Sequence, residues 1–374
     1  MSVIIKEVLT DKQLKQWVDF PNKLYKNEPN FVPFLMPDEL STFNRKENPA
    51  HEFCETKLFF AYKDGKQVGR IAALINHAAN KKWCTNAIRF TRFDFIDDYE
   101  VSSALFNEVI KWGKERGYTE AMGPIGFTDM DHEVILVEGF DEMNMSITFY
   151  NHPYYIDHME KLGLTKKWGW VEYQVPIPET VDPRLKKMSD FVQKRYGYKL
   201  VTYTDRKVLR EEAFKAFDII DVAFSKLYGT VPLTPAVIKK AIDDNVPLIN
   251  LKYVCTVKDK NDDIVAFALL VPSIAAALKK SGGKLFPFGI FRMLKAMNGH
   301  NDILESYFIA VRPDLQSKGL PAIMMSHMLE VCLENKVKFI ETGPELEDNE
   351  EVQGLWKNYN ARRHKRRVCW TREI

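Results

Sequence analysis

What the chain lacks narrows its class before any motif is read. No window approaches the roughly 18 uninterrupted apolar residues of a membrane-spanning helix. The opening MSVIIKEVLTDKQLKQW is too polar for the apolar segment of a secretory leader. The five cysteines, Cys54, Cys84, Cys255, Cys332 and Cys369, are scattered and form no CxxC pair. Neither a zinc site nor a disulfide framework is indicated, and a reducing, cytoplasmic setting is expected. An excess of either charge is also missing: 53 Lys and Arg stand against 51 Asp and Glu, so no global field draws nucleic acid. HExxH and EF-hand spacings are absent. The densest group of potential ligands is Asp129-Met130-Asp131-His132-Glu133, with His152 and His158 in the same half. Neighbours on one strand or loop rarely all converge, so no metal is expected.

What is present is a globular profile, 45% hydrophobic and 28% charged, in a 374-residue chain long enough for two or three domains. The proline-marked stretch Val175-Pro176-Ile177-Pro178-Glu179-Thr180-Val181-Asp182-Pro183 reads as an extended break. The expected division is 1–175, a linker 176–183, and 184–374.

The two parts repeat one pattern. Phe59-Phe60-Ala61-Tyr62 turns through Lys63-Asp64-Gly65-Lys66 into Val68–Leu74, as Tyr253–Val257 turns through Lys258–Asp262 into Ile264–Leu270. Further β-rich runs follow at 89–96 and 306–311. Then come helical faces, Val101, Ala104, Leu105, Val109 and Trp112 in one part, Leu320, Ile323, Met324, Met328 and Val331 in the other. Short segments ending in Gly123-Pro124 and Gly343-Pro344 close the repeat. This β–β–β–α–β order predicts an α/β fold with a mixed α+β sheet. A helix-rich insertion at 278–301, with Lys279, Lys280, Lys284, Arg292 and Lys295, occurs only in the second part. It reads as a surface flap, with a membrane-surface segment as the alternative.

The stretch VRPDLQSKGLPAIMM is a strand end, a basic glycine-containing turn and an apolar helix. Backbone N–H groups and a helix dipole converge there, Lys318 adds a full charge, and Gly319 permits a positive φ. Pro321 suits the first helical turn, where its missing N–H is rarely needed. The alternative is an ordinary helix start.

With its flanks, ESYFIAVRPDLQSKGLPAIMMSHMLEVC resembles the acyl-CoA-binding motif of the GNAT (Gcn5-related) superfamily of N-acyltransferases, Gln/Arg-x-x-Gly-x-Gly/Ala. Gln316, Gly319 and Pro321 fall at the defining positions, Pro321 where Gly or Ala is usual. The likeness covers about residues 200–374. GPIGFTDMDHEVILVEGF and NHPYYIDHMEKLGL make residues 50–175 resemble a divergent second copy, as in a group of bacterial proteins with two GNAT-like halves in tandem.

The resemblance implies transfer of an acetyl or longer acyl group from acyl-CoA to a small-molecule or peptide amine. Ile309, Ala310 and Val311 would meet the pantetheine, and Gln316, Ser317, Lys318, Gly319, Leu320 and Pro321 the phosphates. Glu305 and Glu341 are the carboxylates to test as base. The tyrosine that the family often uses as acid falls at Trp356, with Tyr359 one turn on and Tyr307 as a weaker choice. A non-catalytic binding or scaffold protein is the second reading. A tandem aminoacyl-tRNA-dependent transferase is the third, ranked lower because its coiled-coil arm is missing. The motif fixes neither acceptor nor oligomeric state. In the first half FDFIDDYEV, with Asp94, Asp97, Asp98 and Glu100, would repel a pyrophosphate; these acids suit a helix N-terminus instead. His327 reads as a packed helix residue, and Tyr150, Tyr154 and Tyr155 as acceptor-pocket lining or core. The run Arg362–Arg367 reads as a basic turn near CoA phosphates or an acidic acceptor, ahead of a last strand from Val368.

Overall fold

The computed structural model describes residues 2–374. Among them, β1 (Ile4–Glu7), β2 (Cys54–Lys63), β3 (Lys66–Asn76), β4 (Ala87–Phe95), β5 (Glu120–Gly123), β6 (Ile135–Glu138) and β7 (Thr165–Pro176) belong to the first half. The second supplies β8 (Lys199–Thr202), β9 (Val254–Lys258), β10 (Ile264–Pro272), β11 (Ile303–Val311), β12 (Phe339–Thr342), β13 (Glu345–Leu346) and β14 (Arg362–Glu373). All join one mixed sheet, in the order β1-β2-β3-β4-β5-β14-β7-β12-β11-β10-β9-β8, with β6 beside β14 and β13 beside β7.

Each half has the anticipated plan. Antiparallel β2-β3-β4 and β9-β10-β11 are each followed by a crossover helix and a parallel strand, β5 next to β4 and β12 next to β11. The first crossover helix, Tyr99–Glu115, begins where the Asp98 carboxylate accepts from Glu100 N. Val101, Leu105, Val109 and Trp112, spaced three or four apart, bury one face, each contributing about 1.5–3 kcal/mol. Gly69 of β3 makes room for this helix, since a Cβ there would lie 2.7 Å from Leu105 Cδ1. The second crossover helix, Leu320–Glu334, buries Leu320, Ile323, Met324 and Met328 against Cys255, Val257, Val265 and Ala268.

The halves do not close on themselves. β7 pairs with β12, Gln174 opposite Glu341, and β14 pairs with β5, Trp370 opposite Gly123. β7 and β14 lie side by side at the centre of the sheet. Each half lends its last strand to the other. β7 runs to Pro176, and the next helix starts at Pro183. At this junction Ile177 N bonds Lys338 O at 2.9 Å. Pro183 opens the helix Pro183–Tyr196 under an Asp182 cap.

One reading is corrected here. The basic run is part of β14, not a turn ahead of a strand starting at Val368. Its charges meet carboxylates: Arg362 with Glu142 at 2.5 Å, Lys365 with Glu172 at 3.1 Å, and Arg366 and Arg367 with Glu347 and Glu172. These partners, rather than CoA or an acidic acceptor, use the charge.

The insertion forms helices Ala275–Ser281 and Gly289–Asn298, whose inner residues Met293 and Met297 pack over Val271, Leu269 and Tyr307. No helix among the described residues is long and apolar enough to cross a membrane.

Candidate functional site

β11 and β12 run together only as far as Ser306 opposite Thr342, with Gly343 N reaching Ser306 O at 3.2 Å. Beyond this point they part. β11 stays paired with β10 to Val311, the register slipping at Tyr307, so Ile309, Ala310 and Val311 border a wedge on their other edge.

At the wide end β11 enters the tight turn Pro313–Lys318, and Gly319, at φ +78°, starts the crossover helix with Pro321 in its first turn. A Cβ on Gly319 would stand 2.9 Å from Val192 Cγ2. Gln316 and Ser317 are exposed and Leu320 is buried. The Lys318 ammonium lies 5.5 Å over the Tyr196 ring, and the Arg195 guanidinium sits 5.6 Å from the same ring. Arg195 went unnoticed in the sequence because it belongs to a helix remote from the motif.

At the closed end Glu305 lies directly opposite Glu341. Glu305 is 1% exposed; Ser146 Oγ donates to its Oε2 at 3.3 Å, and its Oε1 has no partner. Burial, with the Glu341 charge adding, pushes the Glu305 carboxyl up to about 7, against the pull of Ser273, Lys365 and Ser146. Glu341 is held instead by Gln174 Nε2 at 3.3 Å and Lys365 Nζ at 3.7 Å. Lys365 also donates to Met143 O at 2.9 Å. Arg367 pairs with Glu172 and donates to Asn144 Oδ1 at 2.7 Å. The two glutamates therefore differ: one keeps an oxygen without a partner at the apex, the other is tied into a cationic network.

The facing wall comes from the first half. Tyr307 Oη is 3.4 Å from Ser146 Oγ, and burial, then the Glu305 charge, raises its pKa and keeps its proton on. His132 Nε2 is 3.2 Å from Ser146 O, and its ring packs on Phe34 at 4.1 Å. Asp131 is fixed by Arg92 at 2.7 Å, and Arg92 also binds Glu39 at 2.8 Å. Asp38 is pushed up to about 6 by burial and then by Asp244. Ser146, His132 and Lys365 were missed as site residues: the first lies in an unmarked loop, the second was weighed only as a metal ligand, and the third was read as part of a basic run. No group of three His, Cys, Asp or Glu among the described residues is arranged to hold a metal.

Trp356 is buried and donates its indole N–H to Glu345 Oε1 at 2.8 Å, while burial pushes Glu345 up to about 7. Tyr359 packs at the rim of the core that includes Trp356, near Ile309 and Leu315, and burial, then Asp182, raises its pKa.

The equivalent fork of the first half is shut. β4 and β5 pair from Ala87 to Arg89. The chain then turns back, Ile125 N bonding Phe90 O at 3.0 Å and Arg89 Nη1 bonding Gly126 O at 3.1 Å. The acids are consumed locally: Asp94 pairs with Arg70 at 2.7 Å, Asp97 with His158 at 3.0 Å, and Asp98 and Glu100 with Lys63 at 2.6 and 2.9 Å. Tyr150 bonds Glu28, Tyr154 bonds Phe95 O, and Tyr155 bonds Tyr25, which makes these tyrosines first-half core rather than acceptor pocket. A cavity of about 10 Å³ lies beside Arg92 and Tyr155, at the lower limit for one water.

The fold is that of tandem GNAT proteins. The structure of a tandem GNAT protein from the clavulanic acid biosynthesis pathway matches 100% of this chain and 98% of its own, at TM-score 0.58 and 12% identity. A GCN5-related N-acetyltransferase from Sphaerobacter thermophilus matches 99% and 95%, at TM-score 0.53 and 11% identity. In sequence the chain is similar to Protein YghO of Escherichia coli (strain K12), 24% identical over 379 residues, 99% of this chain and 95% of that protein. It is also similar to a bacterial ceramide synthase of Caulobacter vibrioides, 25% identical over 301 residues, 77% of this chain and 74% of that protein. No family model matches the chain.

Proposed function

We propose that the chain transfers an acyl group from acyl-CoA to an amine, the second half holding the thioester and the first half walling the acceptor side. The observation that carries this reading is Glu305: a buried carboxyl near neutrality at the closed end of the wedge, one oxygen unpartnered, beside Ser146 and Tyr307. A base poised near the working pH is what removal of a proton from an attacking amine requires. The residues also fit acyl-CoA: Gly319 gives a close backbone approach, and Lys318 places a cation at a helix N-terminus, with Arg195 beside the same Tyr196 ring.

In this reading the amine nitrogen attacks the thioester carbon, forming the C–N bond, and outward N–H groups along Ile309–Val311 receive the developing oxyanion. The C–S bond then breaks. Glu305 accepts the amine proton, Tyr307 gives one to the departing thiolate, and the Ser146 hydroxyl returns the proton from Glu305 to Tyr307. The balance is amide plus free thiol. Glu341 acts as a positioning residue through Lys365, and Tyr359 is the alternative acid. The similarity to a ceramide synthase, whose name denotes an amide of a long-chain amino alcohol, supports a lipid amine among the possible acceptors. The apolar cluster of Leu269, Val271, Met293 and Met297 packed beside Tyr307 supports an apolar ligand near the closed end. Five free thiols accord with a cytoplasmic setting.

Trp356, in place of an O–H donor, favours a second reading, a non-catalytic acyl-CoA-binding protein. Calorimetric titration with acetyl-CoA and palmitoyl-CoA, alongside thiol release with amine acceptors, separates them. Absence of heat with either ligand sinks both readings. Binding without turnover for any amine offered favours the second.

A further inference from the structure

We propose that the insertion 278–301 docks the protein on an anionic membrane surface. The helix Gly289–Asn298 carries two apolar stripes. Met293 and Met297 turn inward over the wall that contains Tyr307. Phe291 and Leu294 face outward, and Phe291 with Phe286 and Phe288 just ahead of the helix are among the most exposed large apolar side chains of the protein, Phe286 at 78% and Phe291 at 68%. Helical spacing puts Phe288, Phe291 and Leu294 on one side. A monomer gains nothing by keeping three phenylalanines in water, so the stripe is matched to an apolar partner.

The charge identifies that partner. Between residues 278 and 301 lie Lys279, Lys280, Lys284, Arg292 and Lys295, with no Asp or Glu. All but Lys279 are exposed, and they flank the aromatic residues in sequence. Aromatic rings flanked by cations are the composition of an interfacial segment that seats its rings among acyl chains and its ammonium groups on lipid phosphates. A second copy of this chain fits poorly, because a two-fold contact would set this cationic rim against itself. One short stripe is also small beside the roughly 800 Å² per partner of a stable interface. Docking stands independently of acyl transfer; if both hold, the wall beside Tyr307 lies directly beneath the membrane contact, on the route of a lipid amine.

The test is co-sedimentation of the full chain with phosphatidylcholine vesicles, with and without phosphatidylglycerol. Binding to the anionic vesicles is expected to be at least ~10-fold stronger and to weaken as salt is raised. The triple variant Phe286→Ser, Phe288→Ser, Phe291→Ser is expected to lose at least ~10-fold of it while keeping its melting temperature, since all three rings are exposed. Should that variant misfold, Lys280→Glu with Lys284→Glu and Lys295→Glu tests the same surface through charge. Wild-type protein that ignores both vesicle types overturns the proposal, as do variants that bind like wild type. Dimerisation abolished by the phenylalanine changes, without vesicle binding, assigns the stripe to a second copy and overturns it too. Vesicle binding is read without acyl-CoA, so its failure leaves acyl transfer standing, and the reverse holds.

Discussion

The two halves share a strand order and differ at the fork between their parallel strands. In the first, Arg89 stands opposite Met122 and the returning chain at Ile125 seals the gap. In the second, Glu305 stands opposite Glu341, the pairing ends at Ser306 and Thr342, and β11 runs on alone on that edge toward Gly319. The fold alone thus makes no site. What the second half adds is a buried acid left without a full set of partners at the closed end of the wedge, and a loop suited to an anion at its wide end. The shut half has been put to another use, contributing Ser146 and His132 to its neighbour's wall.

The sharpest way to break this comparison is Glu305→Gln, which should lower kcat by about 10²–10⁴ if Glu305 is the base. Steady-state thiol release measures it, and a loss under threefold would move the base elsewhere. Next in size, Arg92→Met leaves Glu39 and Asp131 buried without their cation. It should cost ~3 kcal/mol or more of stability in urea, with acyl-CoA binding by the surviving folded protein unchanged. Gly319→Trp, forced onto Val192 and out of its favoured φ, should weaken acyl-CoA binding at least ~30-fold, about 2 kcal/mol by calorimetry. Asp97→Asn in the shut half should leave that binding as it is.

Smaller and more diagnostic is pH. Glu305 must be ionised to act, so kcat/KM should fall about tenfold per pH unit below about 7 and level off above it. The same shift carries a stability sign. With its folded pKa raised, Glu305 contributes stability that is present below the ordinary carboxyl range and lost as pH rises through about 7. Glu305→Gln should therefore melt higher than wild type at pH 8 and alike at pH 4. An unchanged difference across that range would mean that the carboxyl is not protonated in the folded protein.

Much of the architecture was legible locally. Hairpins, crossover helices and the basic glycine turn announce themselves by period and by turn chemistry, as Val101–Trp112 and Leu320–Met328 illustrate. The exchange of β7 and β14 was not, because nothing in Arg362–Arg367 says that its partners lie some 190 residues upstream at Tyr173 and Trp170. The same distance hid the acid–base surroundings of Glu305. Ser146 reaches Glu305, and Lys365 reaches Glu341 opposite it, through tertiary packing, while Trp356 shows the converse, a position identified by resemblance whose side chain does something else.

The exchanged strands also bear on how the protein comes off the ribosome. β5 waits for Trp370–Glu373, so the first half, though made first, has an unfinished sheet until the last strand emerges. Synthesis order and folding order are uncoupled, and a stop codon ahead of Arg362 would disable both halves together.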